Sequence, residues 1–212
     1  MTSHPITTVF FDLDDTLYPP ERGVWGEIAR RINLYMIERV GIPESEVDAL
    51  RRRYFSEYGI TCNGLRREHG VDPRDYYRFV HDIPLADYLE PDPALRRMLE
   101  GMPQKKFIFS NADRAYILRV LTILGVADLF ENIIDIFATD FACKPTGAAY
   151  RIASEKAGSP PPDSCMLVDD LTRNLAPARG LGWTTVLVHN PAPEGAADHQ
   201  IATLYRLADR LG

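Results

Sequence analysis

The sequence predicts an α/β protein: a Rossmann-like, doubly wound parallel sheet with a helical cap domain inserted after its first strand. Three observations lead there. Five short runs rich in Val, Ile and Phe are mostly continuous rather than alternating, as expected where helices cover both faces of a parallel sheet. Helical patterns fall between the later runs, giving the strand–helix alternation of doubly wound folds. The first connection is about 90 residues long, too long for one crossover helix or a structureless loop.

The strands are expected at 7–14 (TTVFFDLD), 105–112 (KKFIFSNA), 132–139 (NIIDIFAT), 164–170 (SCMLVDD) and 184–189 (TTVLVH). After SNAD, residues Ile117, Val120, Leu121 and Leu124 keep helical spacing and stop at Gly125, a C′ glycine. The segment 146–158 also ends in Gly, and 171–182 follows acidic residues that suit a helix N-terminus. Within the long connection, Trp25, Ile28, Ile32 and Tyr35 share a helical face, and 44–59, 73–82 and 92–101 are helical. The core is therefore assigned to 1–16 and 90–212, and the cap to 17–89. The turn-forming segments 18–23 (YPPERG) and 90–93 (EPDP) are its expected hinges.

With 212 residues, 45% hydrophobic and 25% charged, the chain can bury a real core. Its net charge of −6 argues against a broad surface for nucleic acid or anionic membrane, while leaving room for a small anionic substrate. Cys62, Cys143 and Cys165 are odd in number and widely spaced, so neither a disulfide framework nor a CxxC metal pair is expected. Cys143 reads as a small buried residue. No secretory signal opens the sequence and no apolar run approaches the ~20 residues of a membrane span. The expectation is a reduced, cytoplasmic protein. The oligomeric state is not encoded in any pattern.

Ligands of parallel α/β sheets sit outside the carboxyl ends of the strands. Here those ends carry Asp12 and Asp14, Ser110 and Asn111, and Asp169 and Asp170, with Lys144 just after the third strand. Asp12 and Asp14 are two apart and point to one side of an extended chain. So many neighbouring carboxylates cannot all ionise without a cation. An all-oxygen set suits Mg²⁺. Ser110 and the following helix N-terminus offer phosphate donors, and Lys144 a compensating charge. The ensemble reads as a phosphate pocket with a carboxylate nucleophile beside a metal.

Asp12-Leu13-Asp14-Asp15-Thr16, Ser110 in FIFSN, Lys144 in CKPTG and the Asp169-Asp170 pair in LVDD occur in order along the core. In this the chain resembles the haloacid dehalogenase-like hydrolase superfamily, which places a helical cap of the C1 type between its first and second motifs. More narrowly, FFDLDDTLYP, NGLRREHGVDPRDYYRFVHD, SNADRAYILRVL and VDDLTRNLAPARGLG resemble the pyrimidine 5′-nucleotidase-type branch.

The resemblance implies roles. Asp12 attacks phosphorus; Asp14 protonates the leaving alkoxide and then helps deprotonate the hydrolytic water. Ser110, Asn111 and Lys144 bind the phosphoryl group. The Mg²⁺ ligands are Asp12, the Asp14 carbonyl, Asp170 and Asp169, the last directly or through water. Asp15 reads as a turn residue. Thr16 hydrogen-bonds near the nucleophile or serves the turn, and Asn174 supports the site or simply lies on its helix. In the cap, Tyr58, Asn63 and His69 are candidates for substrate selection, with Arg66, Tyr76 and His81 behind them. Arg51, Arg52 and Arg53 read as a solvated helix face.

The expected activity is Mg²⁺-dependent hydrolysis of small phosphorylated metabolites, with pyrimidine nucleoside 5′-monophosphates favoured. A sugar-phosphate phosphatase or phosphomutase would carry the same motifs. A dehalogenase would lack the acid at Asp14, since a halide leaves without a proton. A phospho-receiver domain has its acidic pair and acceptor in the reverse order and typically lacks the long insertion.

Overall fold

The computed structural model describes residues 5–210. Six strands pair in parallel: β1 (Thr8–Phe11), β2 (Lys105–Phe109), β3 (Asn132–Ile134), β4 (Cys165–Asp169), β5 (Thr184–Val188) and β6 (His199–Ile201). Their order is β3-β2-β1-β4-β5-β6, so the connections reverse direction across β1 and β4. That crevice is where such sheets bind ligands. Every residue of β1 and β4 is buried, which explains their continuous apolar sequences. Phe10 on β1 stacks on Trp183 at 4.5 Å and on Phe107 at 5.6 Å between ring centroids, at the centre of the core.

Three of the strand expectations change. The strand at 132 stops at Ile134, because Asp135 turns its carboxylate onto the backbone N–H groups of Arg114 and Ala138 (3.0 and 2.9 Å). β1 ends at Phe11, and one further ladder bond, from Asp12 N–H to the Val168 carbonyl (2.9 Å), carries it to the site. β6 was not anticipated. It is three residues of mixed polarity, and it is anchored by Asp198, whose carboxylate accepts from the Thr185 N–H and hydroxyl (2.9 and 2.6 Å).

The helices are α1 (Val24–Glu38), α2 (Glu44–Glu57), α3 (Thr61–His69), α4 (Pro73–Val80), α5 (Pro93–Glu100), α6 (Arg114–Leu124), α7 (Gly147–Lys156) and α8 (Thr172–Gly180). Asp72, Asp92 and Asp113 cap α4, α5 and α6 by accepting from N–H groups of the first turn. Gly125 ends α6 with φ 74°, the left-handed conformation its position suggested.

The described residues divide into two compact units: those up to Arg22 together with Leu89 onward, and Gly23–Tyr88. Leu17 and Tyr18 are buried in the first unit, so its border falls later than residue 16. No helix among the described residues is long and apolar enough to cross a membrane.

The second unit packs α1 to α4. On α1 the buried stripe is Val24, Ile28, Ile32, Tyr35 and Met36; Trp25 lies beside it and is 47% exposed, contrary to the expected face. Of the three consecutive arginines, Arg51 departs from a solvated face, whereas the Arg53 side chain stays 39% exposed in a surface ion pair. Arg51 donates to Asn33 Oδ1 (2.7 Å), and Arg53 forms a two-point ion pair with Glu68 (2.7 and 2.6 Å). α3 carries no clear helical signal in the sequence, because Gly64 interrupts it. The glycine has a steric reason: a Cβ there would sit 2.2 Å from Cγ of the buried Tyr54 on α2. Gly64→Ala is expected to destabilise this unit by about 2 kcal/mol or more, since the ring and helix must separate. Urea unfolding followed by tyrosine fluorescence checks this; an unchanged midpoint would show that α2 and α3 separate without cost.

Candidate active site

The chemistry-bearing side chains of the first unit gather at the carboxyl ends of β1, β2 and β4. The Lys144 side chain is 1% exposed and its ammonium donates to Asp12 Oδ1 (2.8 Å) and Asp169 Oδ2 (2.6 Å). Residues 132 positions apart in the chain are thereby joined. The lysine is held from behind by Asn111, whose Nδ2 donates to the Lys144 carbonyl (3.1 Å) and whose Oδ1 accepts from the Lys144 N–H (2.9 Å). Asn111, expected at the phosphate, thus uses its amide to fix the lysine backbone. Ser110 is buried at the end of β2, and its Oγ accepts from Ala112 N–H (3.1 Å). That bond uses a lone pair and leaves the hydroxyl proton to donate.

Asp169 is fully buried and heavily engaged. Besides Lys144, it accepts from Leu171 N–H (2.9 Å) and from Asn174 Nδ2 (2.9 and 3.1 Å). It therefore steadies the start of α8 and the lysine together. Asn174 is in turn fixed through its carbonyl, which accepts from the Tyr150 hydroxyl. Asp170 is tethered by Asn190, whose Nδ2 donates to the Asp170 carbonyl (2.9 Å). Asn190 follows β5 and carried no motif signal; only its place after the fifth strand could have suggested it.

One carboxylate oxygen from each of Asp12, Asp169 and Asp170 lies within 4.8 Å of the others. Three carboxylates against one lysine leave two negative charges when all are ionised. The cost falls on the protonation of Asp12 and Asp170. Burial, then Asp169 and Asp14, pushes the Asp12 carboxyl up to about 7 although Lys144 opposes it. Burial and the charges of Asp12 and Asp169 push Asp170 up to about 8. Burial favours neutral Lys144, but Asp12 and Asp169 outweigh it and hold the ammonium well above its usual range. A hard divalent cation matches both the two-charge deficit and the all-oxygen donor set.

This sets a pH dependence. Carboxyls raised from 3.8 to about 7 and about 8 in the folded state favour folding at low pH, and that contribution is lost as pH rises through those values. Without a divalent cation, the melting temperature is expected to fall between about pH 4 and about pH 8, and added cation should restore most at the alkaline end. Melting curves with and without a chelator check this. A chelator effect equal at both ends would contradict it.

Asp14 lies outside the trio. Its Oδ1 accepts from the hydroxyls of Tyr116 (2.6 Å) and Tyr18, themselves 3.4 Å apart. Neither tyrosine was expected at the site. Tyr18 sits four residues after Asp14, in the segment read as a hinge, and Tyr116 lies on the first turn of α6 just beyond Ser110. Asp15 adopts φ 55°, as a turn residue there must. One of its carboxylate oxygens is buried without a partner, and burial together with Asp14 and Glu21 pushes it up to about 6. Thr16 is fully buried and its hydroxyl has no partner either.

In the second unit, Tyr58 donates to Glu68 (2.9 Å), and His69 Nε2 pairs with the Tyr54 hydroxyl (2.9 Å). Asn63 Nδ2 donates to the Tyr58 carbonyl (3.2 Å). Arg53, with the Tyr58 and Tyr54 hydroxyls, holds the Glu68 carboxyl down at about 2. Tyr76 and His81 are buried within the same unit.

Among curated proteins, "Phosphate metabolism protein 8" of Saccharomyces cerevisiae is 29% identical over 192 residues, covering 84% of this chain; the chain spans 60% of the yeast protein's length. "Glyceraldehyde 3-phosphate phosphatase" of Methanothermobacter thermautotrophicus is 24% identical over 211 residues, covering 92% of this chain and 90% of that protein. Solved structures that share the fold include a HAD phosphatase from Thermococcus onnurineus (TM-score 0.62, 23% identity, 98% of each chain). They also include a 2-haloacid dehalogenase from Pseudomonas syringae (TM-score 0.63, 19% identity, 97% of this chain and 98% of that one). The fold is thus shared by proteins named for different reactions. The family model for haloacid dehalogenase-like hydrolases matches residues 6–182, spanning all four motifs. This chain therefore belongs to the haloacid dehalogenase-like hydrolase family.

Proposed function

We propose that the protein is a Mg²⁺-dependent phosphomonoesterase that works through an aspartyl-phosphate on Asp12. The observation that carries this reading is the buried Lys144 bridge between Asp12 and Asp169, beside an Asp14 that takes no part in it. The bridge fixes one Asp12 oxygen and keeps positive charge beside the carboxylate that attacks phosphorus. Negative charge on the transferring phosphoryl group is met by Lys144 and the Ser110 hydroxyl. Asn111 acts through the lysine, whose backbone it fixes. Asp14 gives its proton to the leaving oxygen and then takes one from water, a role typically worth ~10²–10⁴-fold. An acid is needed for an alkoxide and not for a halide, so Asp14 favours a phosphatase over the dehalogenases that share the fold. Asp12 and Asp170, with Asp169 and the Asp14 carbonyl, would hold Mg²⁺, which when bound offsets the site's negative charge and polarises a phosphoryl oxygen.

Pyrimidine nucleoside 5′-monophosphates are the substrates that the branch resemblance favours. A second reading, a triose phosphate, is supported by the archaeal relative, which is named for glyceraldehyde 3-phosphate and aligned over most of both chains. Release of inorganic phosphate from nucleoside monophosphates, sugar phosphates and glyceraldehyde 3-phosphate, with Mg²⁺ and with chelator, separates them. Pyrimidine monophosphates should turn over faster than purine ones, and chelator should stop the reaction. Equal rates on both base classes would remove the nucleotidase assignment, and preference for the triose would install the second reading. A rearranged sugar phosphate without free phosphate would mean a phosphomutase. Phosphate release from no ester would overturn the phosphatase itself. The protein is taken to act in the cytoplasm on small phosphorylated metabolites, without nucleic-acid or membrane partners.

A further inference from the structure

Two hydroxyls on one carboxylate oxygen do more than satisfy it. Tyr18 and Tyr116 come from distant parts of the sequence, and both are nearly inaccessible, at 3% and 1% exposure. Both donate to Oδ1 of Asp14, and neither donates to Oδ2. A phenol keeps its proton at neutral pH, so both hydroxyls are available as donors.

We propose that Tyr18 and Tyr116 are positioning residues that make Asp14 a one-oxygen acid, with Oδ1 clamped and Oδ2 reserved for the transferred proton. This rests on the phosphatase reading. As Asp12 bonds to phosphorus, the ester P–O bond breaks and its electron pair goes to the leaving oxygen. That oxygen takes the proton from Oδ2 of Asp14. The carboxylate left behind holds its charge against two phenol donors already in place, so little reorganisation accompanies the transfer. In the second half, Oδ2 takes a proton from water as the water oxygen bonds to phosphorus. The Asp12–phosphorus bond then breaks and phosphate leaves. Without the clamp the carboxyl group can rotate, and either oxygen can carry the proton.

The clamp predicts dependence on the leaving group. A nitrophenolate leaves without an acid, whereas an alkoxide does not. Tyr18→Phe, Tyr116→Phe and the double variant would be compared with wild type on p-nitrophenyl phosphate and glycerol phosphate, with Asp14→Asn as reference. The double variant should lose about 10- to 100-fold in kcat on the alkyl ester, with KM little changed, and far less on the aryl ester. Each single variant should show the same asymmetry in smaller measure, and those two carry the comparison should the double variant not fold. Equal losses on both esters, or no loss, would overturn the clamp while leaving the phosphatase reading intact. Where the wild type refuses glycerol phosphate, the nucleoside or sugar phosphate it hydrolyses best serves as the alkyl ester, and a wild type that hydrolyses no phosphate ester would overturn both.

Discussion

Asp12→Asn is expected to reduce phosphate release by at least about 10³-fold with every ester the wild type accepts, because the amide cannot form the covalent intermediate. The fold should survive. Asn keeps the shape of Asp, and its side-chain oxygen can still accept from the Lys144 ammonium, which lies 2.8 Å from Asp12 Oδ1. Removing this carboxylate also removes one of the charges that raise Asp170, so Asp170 should titrate closer to an ordinary carboxylate. The protein should therefore melt at least as high as wild type when no divalent cation is present. Phosphate assays and melting curves on the same preparation separate the effects. Retained activity would remove Asp12 from the chemistry.

Lys144→Met should be severe in both activity and stability. The side chain is buried, and its loss leaves Asp12 and Asp169 facing each other without their cation. Breaking a buried pair by removing one partner typically costs ~3–5 kcal/mol. The sign with pH is definite. Protonation relieves the stranded carboxylates, so the loss should be smallest near about pH 5 and largest above about pH 8. A divalent cation should recover part of it at the alkaline end. Urea unfolding at both pH values checks this. A loss independent of pH would mean that Lys144 acts through packing, for instance against Phe109, whose ring centre is 5.3 Å from the ammonium.

Much of this site was legible because its residues sit at strand ends, where an apolar run stops at a polar residue. Asp12, Ser110 and Asp169 announce themselves in this way, and the ammonium of Lys144 closes the pattern across the sheet. The supporting residues do not announce themselves. Tyr18 looks like part of a turn and Tyr116 like one more apolar position of α6. Their function lies in hydroxyl directions that only the packed structure fixes. Asn111 reads as a phosphate contact through backbone or side chain because it follows Ser110; the structure engages its side-chain amide with the lysine backbone. In the fold, buried strands were easier to read than short or interrupted elements. β6 has three residues and an exposed Gln200, and α3 carries a glycine demanded by Tyr54 on a neighbouring helix. Arg51 departs from the solvated face because a charge run says nothing of a partner such as Asn33, which comes from another helix.

A phosphoryl group carried on Asp12 can be trapped during turnover. Acid-quenched turnover mixtures would be reduced with borohydride, which converts an aspartyl-phosphate to homoserine, and the peptide containing residue 12 analysed by mass spectrometry. Homoserine at position 12, dependent on substrate and absent from Asp12→Asn, is the expected result. Brisk turnover with unmodified Asp12 at every quench time, or with the modification at Asp14 or Asp170 instead, would contradict it.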